Sequence, residues 1–130
     1  MTNSSIDILS KMMTASTIRH KVHSNNIANI NTPNYKRQIV SFEEELRKAV
    51  STNKDTLPLK ITNSRHIVTN LNIEPKILED KTTSLKTDNN NVDLDMELAL
   101  LAENTIKFNV LTQSLSKQFG LLRSAIRGGR

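Results

Sequence analysis

Residues 94–126 read LDMELALLAENTIKFNVLTQSLSKQFGLLRSAI, and this stretch decides the fold of the 130-residue chain. Its apolar residues recur at alternating steps of four and three, which is the pattern of a helix that lies against other helices. All seam positions except two threonines are apolar, and they are Leu94, Leu98, Leu101, Thr105, Phe108, Thr112, Leu115, Phe119, Leu122 and Ile126. Such a helix is on the order of 50 Å long. We therefore expect one long C-terminal helix whose partners come from elsewhere.

Polar residues mark the start of this predicted helix. Asn91, Asp93, Asp95 and Glu97 crowd it. A side-chain oxygen there caps free N–H groups, and a negative charge meets the positive end of the helix dipole. The pair Gly128-Gly129 follows the other end, where glycine readily adopts the left-handed conformation that closes a helix.

Composition limits what the chain can be. Aromatic residues make up only 3% of it, and it contains no Trp and no Cys. A large single core is therefore not expected, and disulfides and thiolate metal sites are excluded. The formal net charge is +5, but basic residues are scattered among acidic ones. Together these features predict an elongated helical protein with a solvated, mixed-charge surface.

No targeting or membrane segment is recognisable in the sequence. Residues 1–10 lack the basic start and the apolar run of a cleavable signal peptide. The longest apolar run, residues 98–102, is far shorter than the roughly 20 residues that cross a bilayer. If the protein acts outside the cytoplasm, we expect it to leave by a route that reads no removable N-terminal peptide.

A second helical pattern lies near the N-terminus. Ser4 and Asp7 fit a capping box, and the residues that follow again step by threes and fours. These seam positions, of which the middle three are polar, are Ile6, Leu9, Met13, Ser16, His20, His23, Ile27 and Ile30. The helix is expected to end near Asn31, because Pro33 pushes the residue before it out of the helical conformation.

The two histidines of this pattern, His20 and His23, could share one face as metal ligands. A structural zinc site requires four ligands, and no third ligand lies nearby in the sequence. We therefore interpret them as polar positions that contact another helix, and we expect no metal and no other cofactor. The adjacent carboxylates of residues 43–45 diverge around a predicted short helix, so no catalytic residue is predicted either.

The middle of the chain is polar. Residues 41–50 predict a short amphipathic helix that Ser41 caps and that places Phe42 on its apolar side. Residues 57–61 and 67–73 alternate between apolar and polar types as half-buried strands do. A small, weakly held β element is therefore the most that we expect between the two long helices.

Residues 25–37, NNIANINTPNYKR, run from the end of the first helix through the turn. They resemble the signature of bacterial flagellar rod and hook proteins, in which a helix rich in Asn and Ala enters an Asn-Thr-Pro-Gly-Tyr-Lys turn. The residues that carry this likeness at the turn are Asn26, Asn29, Asn31, Thr32, Pro33, Asn34 and Tyr35. Asn34 stands where the family commonly has Gly. Because Asn tolerates positive φ better than other non-glycine residues, we expect the same turn with Asn34 at positive φ.

The likeness returns in the C-terminal part, at residues 91–97 (NVDLDME) and 122–129 (LRSAIRGG). Together with the small size, it makes the chain most similar to the proximal rod subunits of the bacterial flagellar basal-body rod protein family. The resemblance implies a structural subunit, not an enzyme, which the flagellar type III apparatus exports to the periplasmic rod of the basal body. It also implies self-assembly into a helical rod that transmits motor torque. The implied partners are other rod subunits, the ring-to-rod adaptor protein and the export gate.

The residues themselves predict a mainly α fold in which long N- and C-terminal helices pair antiparallel in a coiled-coil-like arrangement. We divide the chain into an N-terminal helix with the Asn-Thr-Pro turn (1–35), a polar middle segment (36–91) and a C-terminal helix (92–130). The first and last parts together form one helical assembly domain. Apolar stripes that one helix pair cannot bury call for neighbouring subunits, and a head-to-tail contact that does not close produces a helical tube. The predicted assembly residues are Ile6, Leu9, Met13, Ile27, Ile30, Leu94, Leu98, Leu101, Phe108, Leu115, Phe119, Leu122 and Ile126.

The alternative from another functional class is a basic helical module that binds nucleic acid or an anionic membrane surface. It needs basic residues gathered on one face, and its binding to phosphates would depend steeply on salt. Because the charges are scattered, we favour the structural subunit and expect neither a nucleic acid partner nor a transmembrane segment.

Overall fold

The computed structural model describes residues 2–52, 73–81 and 88–128. Within these residues the order of elements is α1 (Thr2–Ala28), β1 (Gln38–Ser41), α2 (Glu43–Thr52), β2 (Lys76–Glu79) and α3 (Leu94–Ile126). The long helices α1 and α3 lie against each other, and β1 lies against α1. The predicted mainly α fold, with long terminal helices, a short helix and a small β element between them, is confirmed.

Two contacts, His23 with Glu97 and Ser16 with Asn104, show that α1 and α3 run antiparallel. The second contact lies earlier along α1 than the first, and it lies later along α3 by the same number of residues. Continued to the start of α1, the same register leaves the last turns of α3, residues 119–126, beyond the end of its partner. In the described part of the chain, no helix combines the length and the apolarity needed to span a bilayer.

Helix α3 begins where its polar start predicted. Asp93 is the N-cap residue with φ of −106°, and its carboxylate accepts the N–H groups of Asp95 and Met96 at 3.0 and 3.3 Å. Gly128 follows the last turn with φ of 71°, a conformation that glycine adopts without strain. Capping at both ends thus agrees with the sequence pattern.

Two other predicted helix caps are wrong. Helix α1 begins at Thr2, so Ser4 lies inside it. Helix α2 begins at Glu43, because Ser41 is already the last residue of β1. Phe42 stands between the strand and the helix, and only 2% of its surface is exposed. Burial of this aromatic ring and pairing of the strand outweigh the local preference of Ser for a capping position.

Strands β1 and β2 form a two-stranded antiparallel sheet in which Gln38 pairs with Glu79. Both strands fall in the middle segment 36–91, and neither coincides with a stretch that predicted a strand. The alternating stretches 57–61 and 67–73, which predicted strands, lie outside the described residues except for Ile73.

The core of the described residues is small and largely polar. Its buried apolar side chains are Ala15, Val22, Phe42 and Val92. The buried polar side chains are Ser16, His23, Asn26, Asn90, Glu97 and Asn104. A buried polar group costs free energy unless it is hydrogen-bonded. The partners of these polar groups therefore determine how α1, β1 and α3 fit together.

Candidate functional site

The middle of the contact between α1 and α3 is a reciprocal pair of polar side chains. The Ser16 hydroxyl donates to Oδ1 of Asn104 at 2.9 Å, and Nδ2 of Asn104 donates to the Ser16 carbonyl oxygen, also at 2.9 Å. Both residues are buried. An amide has distinct donor and acceptor ends, so this pair favours one register of the two helices where apolar side chains would tolerate several.

Nearer the end of α1, the carboxylate of Glu97 accepts hydrogen bonds from two parts of the chain. Nδ1 of His23 and Nδ2 of Asn26, both on α1, lie 2.7 and 3.2 Å from Oε2. Nε of Arg37, just before β1, lies 2.5 Å from Oε1. Glu97 has no exposed surface. Protein donors therefore satisfy both oxygens, and the carboxylate is closed to any substrate.

Burial of Glu97 acts to raise its pKa, because it penalises the charged form. The hydrogen bonds from His23, Arg37 and Asn26, together with the charge of Arg37, act in the opposite direction and prevail, so the pKa of Glu97 lies below its ordinary value. The carboxylate is thus ionised at neutral pH and only accepts, which places the proton of the shared hydrogen bond on Nδ1 of His23. This cluster joins parts of the chain and offers no proton for acid–base catalysis.

Asn26 extends the same cluster to β1. Its Oδ1 accepts the N–H of Gln38 at 2.9 Å and its Nδ2 donates to the carbonyl oxygen of Gln38 at 2.8 Å, so the side chain acts like a neighbouring strand. The Tyr35 hydroxyl donates to the same Oδ1 at 3.1 Å. Burial, followed by the charges of Glu97 and Glu79, raises the pKa of Tyr35 and keeps its hydroxyl protonated as a donor.

The turn after α1 is held by the segment that precedes α3. Asn34 has φ of 59°, the positive φ that its place in the motif predicted. Its N–H donates to the carbonyl oxygen of Asp88 at 2.9 Å, and Nζ of Lys36 donates to the carbonyl oxygen of Asn89 at 2.8 Å. Chain segments far apart in sequence therefore fix this turn together.

Asn90 is the buried side chain that holds the turn directly after α1. Its Nδ2 lies 2.9 to 3.0 Å from the carbonyl oxygens of Asn29, Ile30 and Thr32, and its Oδ1 accepts the N–H of Val92 at 2.8 Å. These three residues follow Ala28, the last residue of α1. Asn90 therefore fixes the turn through which the chain leaves the helix.

Arg37 ties the small sheet to the start of α3. Its N–H donates to Oδ1 of Asn91 at 2.7 Å, and Nδ2 of Asn91 donates in turn to the carbonyl oxygen of Asp80 at 2.9 Å. Nη1 of Arg37 lies 3.4 Å from Oδ2 of Asp80. The guanidinium group thus faces one carboxylate on α3 and another directly after β2.

The residues of the predicted turn motif divide between the interior and the surface. Asn26 is buried, and Asn29 and Tyr35 are partly buried. The exposed ones are Asn31, Thr32, Pro33 and Asn34. The structure thus uses the first group inside the subunit and leaves the tip of the turn at the surface.

The predicted assembly residues also divide into two groups. The partly buried ones are Ile6, Leu9, Met13, Ile27, Ile30, Leu101, Phe108, Leu115 and Leu122. The exposed ones, with exposed fractions from 41% to 84%, are Leu94, Leu98, Phe119 and Ile126. The seam predicted on α3 is therefore rotated relative to the face that contacts α1, and only about every second position of it turns towards the partner helix.

Helix α3 carries further exposed apolar side chains that the predicted seam did not include. They are Met96, Ile106, Val110 and Leu121. At 3.6 residues per turn, Ile106, Val110 and Leu121 lie on a different side of the helix from Leu98. Contiguous exposed apolar surface on a small protein marks a site of interaction. The exposed apolar surface of α3 thus flanks the α1 contact on both sides.

A groove of about 390 Å³ lies between α1 and α3 on one of these sides. Its lining residues are Met12, Ser16, Arg19, Phe42, Glu43, Ile106, Lys107, Val110 and Leu111. An ion pair between Arg19 and Glu43 joins α1 to α2 at its edge. The groove is mainly apolar, which suits contact with another protein surface.

Within the described residues, no group of three or more His, Cys, Asp or Glu side chains is arranged to hold a metal ion. His20 is exposed on α1. His23 contacts Glu97 on α3, which is the helix contact that we predicted for these polar positions.

Sequence reasoning missed Glu97 as the centre of the polar cluster. We assigned it, with Asp93 and Asp95, to the acidic start of the helix, and it does lie in the first turn of α3. Unlike these two exposed residues, Glu97 is buried. One signal was present, because Glu97 and Asn104 are seven residues apart and therefore lie on the same face of the helix. Asn104 was not singled out either, since the seam was read from apolar residues.

Comparison with known proteins gives a consistent result. A family model described as "Flagella basal body rod protein" matches residues 7–36, which include most of α1 and the turn. The protein from Bacillus subtilis named flagellar basal body rod protein FlgB is 34% identical over 126 residues, which are 96% of this chain and 95% of the relative.

Proteins of the same name from other bacteria align over similar lengths. The FlgB protein from Borreliella burgdorferi is 33% identical and covers 88% of this chain and 90% of its own length. The FlgB protein from Salmonella typhimurium is 28% identical and covers 85% of this chain and 84% of its own length. These relatives give no support to the alternative of a module that binds nucleic acid or a membrane surface.

Proposed function

The chain belongs to the FlgB family of flagellar basal body rod proteins, and we propose that its two long helices are the surface through which it contacts other rod subunits. It is a structural subunit of the flagellar basal-body rod and not an enzyme. Its role is to assemble with other rod proteins into the shaft that transmits motor torque.

The observation that carries this proposal is the exposed apolar surface of α3. Ile106, Val110, Phe119, Leu121 and Ile126 are each more than half exposed. Burying such side chains against a partner is worth roughly 25 cal/mol per Å² of apolar surface. A helix with apolar residues on two sides of its intramolecular contact is therefore suited to neighbours on both sides, as a helical assembly requires.

The end of α3 supports the same proposal. Residues 119–126 extend beyond the start of α1 in the antiparallel register. Phe119 and Ile126 are 53% and 84% exposed there. A projecting apolar helix end fits a head-to-tail contact in which it lies against the next subunit. In this proposal residues 1–35 and 92–130 together form one assembly domain, and the segment 36–91 has a different role.

Membership of the family also motivates finer proposals about partners and location. We propose that the ring-to-rod adaptor protein and the export gate are partners besides other rod subunits. We further propose that the subunit works in the periplasmic part of the rod and arrives there through the flagellar type III apparatus. The scattered charge of the chain is compatible with each of these protein contacts.

The proposal is tested by site-specific photo-crosslinking in the host bacterium. A photoreactive residue replaces Phe119 or Ile106 in otherwise intact subunits, and Glu45 on α2, exposed but not apolar, is the matched control. We expect the two α3 positions to crosslink to rod subunits in isolated basal bodies, and mass spectrometry of the products identifies adaptor or export-gate proteins among them. Crosslinks that arise equally from Glu45, or only outside basal bodies, would contradict the assignment of α3.

A further inference from the structure

Glu97 is the only fully buried carboxylate among the described residues. The groups packed against it come from different parts of the chain, and the fold brings them together. The titratable and charged groups that face it, directly or through Arg37 and Tyr35, are His23 on α1, Tyr35 and Arg37 between the turn and β1, and Glu79 and Asp80 at the end of β2. A single carboxylate thus stands where three chain segments meet.

The charge of Glu97 is what makes this arrangement compatible with burial. Three donors, from His23, Asn26 and Arg37, converge on its two oxygens. A protonated carboxyl group would bring a fourth donor into this cluster, and Nδ1 of His23 accepts it only in the tautomer that carries its proton on Nε2. The donors of Asn26 and Arg37 would then lose the charge of their acceptor. The Arg37 side chain, with 14% exposure, would keep only the more distant carboxylate of Asp80 as an anionic partner.

The contacts of Glu97 differ in kind from the others that hold the turn. Asn90, Asn91 and the backbone of Asp88 also join the turn to the start of α3, but they do so through neutral amides and backbone groups. Neutral hydrogen bonds do not respond to pH in the acid range, whereas hydrogen bonds to a carboxylate are roughly twice as strong and depend on its ionisation. A fall in pH therefore acts on this region through the two carboxylates that pair with Arg37, those of Asp80 and Glu97, and Glu97 is the fully buried one.

We propose that ionised Glu97 is the positioning residue that holds the second half of α1, the Asn-Thr-Pro turn and β1 against α3, and that its protonation releases residues 20–41 while α3 stays helical. The proposal concerns the conformation of the subunit itself and goes beyond its role in the rod. Failure of the proposal would leave the crosslinking test of assembly unaffected.

The direction of the pH effect follows from the environment of Glu97. Its pKa lies below the ordinary value of 4.5 in the folded chain. A group whose pKa is lowered by folding stabilises the folded state above its ordinary pKa, and this contribution is lost as pH falls through the lower, folded-state pKa. The release of residues 20–41 is therefore expected below about pH 4.5 and not near neutrality.

The test is amide hydrogen exchange on the full chain, expressed as protection factors and compared between pH 7 and pH 3. The variant is Glu97→Gln, which keeps the size of the side chain and removes its charge. The matched control is Glu103→Gln on the same helix, because Glu103 is exposed, pairs with Lys107 at 2.6 Å and also has a lowered pKa from that hydrogen bond. Protection is read separately for residues 20–41 and for residues 105–118.

At pH 7 we expect Glu97→Gln to reduce protection of residues 20–41 by about tenfold or more, with residues 105–118 changed by less than about twofold. Acidification should then cause little further loss in this variant, whereas Glu103→Gln should follow the unmodified chain at every pH. The proposal is overturned if Glu97→Gln keeps full protection at pH 7, or if the unmodified chain keeps residues 20–41 protected to pH 3.

If Glu97→Gln loses protection along the whole chain, a second variant, Arg37→Gln, tests the proposal. Removing the cation next to Glu97 raises the pH at which Glu97 is protonated. We therefore expect residues 20–41 of this variant to be released at a higher pH than in the unmodified chain. An unchanged midpoint would overturn the proposal, because release would then not depend on the charge of Glu97.

Discussion

Ser16 and Asn104 exchange two hydrogen bonds across the contact of α1 and α3, each with a donor–acceptor distance of 2.9 Å. We predict that Asn104→Leu lowers the free energy of unfolding by about 1–3 kcal/mol, because the buried hydroxyl of Ser16 loses its partner. Urea unfolding followed by the circular dichroism of the helices measures this change.

Two further variants separate the loss of the hydrogen bonds from a general effect of introducing leucine. Asn109→Leu places the same residue at an exposed position of α3 and should change stability by less than about 0.5 kcal/mol. The double variant Ser16→Ala with Asn104→Leu should recover part of the loss, because no buried polar group is left unpaired. Equal stabilities of the two leucine variants would show that the pair contributes nothing to the helix contact.

A second prediction concerns Asn90, whose Nδ2 donates to the carbonyl oxygens of three residues in the turn after α1. Asn90→Ala should cost about 1–3 kcal/mol, since these carbonyl groups lose the buried amide that donates to them. Asn90→Asp should be worse than alanine, because a carboxylate of the same shape would turn an acceptor towards three oxygens. Urea unfolding at pH 7 ranks the two variants, with Asn89→Asp as the exposed neighbouring control. Asn90→Asp at least as stable as Asn90→Ala would argue against the donor role.

The sequence predicted the helices well because their determinants are local. The spacing from Leu94 to Ile126 and the capping oxygen of Asp93 are properties of adjacent residues, and α3 has the predicted bounds. Asn34 at positive φ follows in the same way from the turn chemistry of the motif. The exit from α1 and the start of α3 could thus be read without knowledge of the rest of the chain.

What the sequence did not reveal are the contacts between distant segments. Glu97 was read only as one of the acids at the start of α3, because its donors, His23 and Arg37, lie more than 50 residues away in the chain. The face of α3 that contacts α1 is centred on polar residues, so a search for apolar spacing found a seam rotated away from it. β1 escaped notice because a four-residue strand depends on pairing with β2 and on the side chain of Asn26.

A third prediction tests the conformation of the turn. Asn34 has φ of 59°, where a β-branched side chain is strained by roughly 1–2 kcal/mol. Asn34→Val should therefore destabilise the turn and impair swimming in soft agar, whereas Asn34→Gly should swim normally. Asn31→Val is the matched control, because Asn31 is exposed in the same turn and has no positive φ. If Asn34→Val and Asn31→Val swim equally well, positive φ at Asn34 does not limit the function of the turn.

The last prediction separates assembly from the stability of the subunit by comparing two phenylalanines of α3. Phe119 is 53% exposed and lies beyond the start of α1, whereas Phe108 is partly buried beside Ser16 and His20. We expect Phe119→Ala to change the free energy of unfolding of the monomer by less than about 0.5 kcal/mol. Phe108→Ala should cost about 1–3 kcal/mol, less than the value for a fully buried ring.

In rod assembly, Phe119→Ala should have the larger effect of the two variants, because the loss of a contact between subunits recurs at every copy. Phe119→Ala should therefore yield a subunit that is folded and present in the cell but that fails to build rods, as seen by electron microscopy of isolated basal bodies. Gln113→Ala, an exposed polar position on the same helix, should assemble normally. Normal rods with Phe119→Ala would mean that the projecting end of α3 is not a contact surface, and the assembly contacts would then have to lie at Ile106 and Val110 on the other side of the helix.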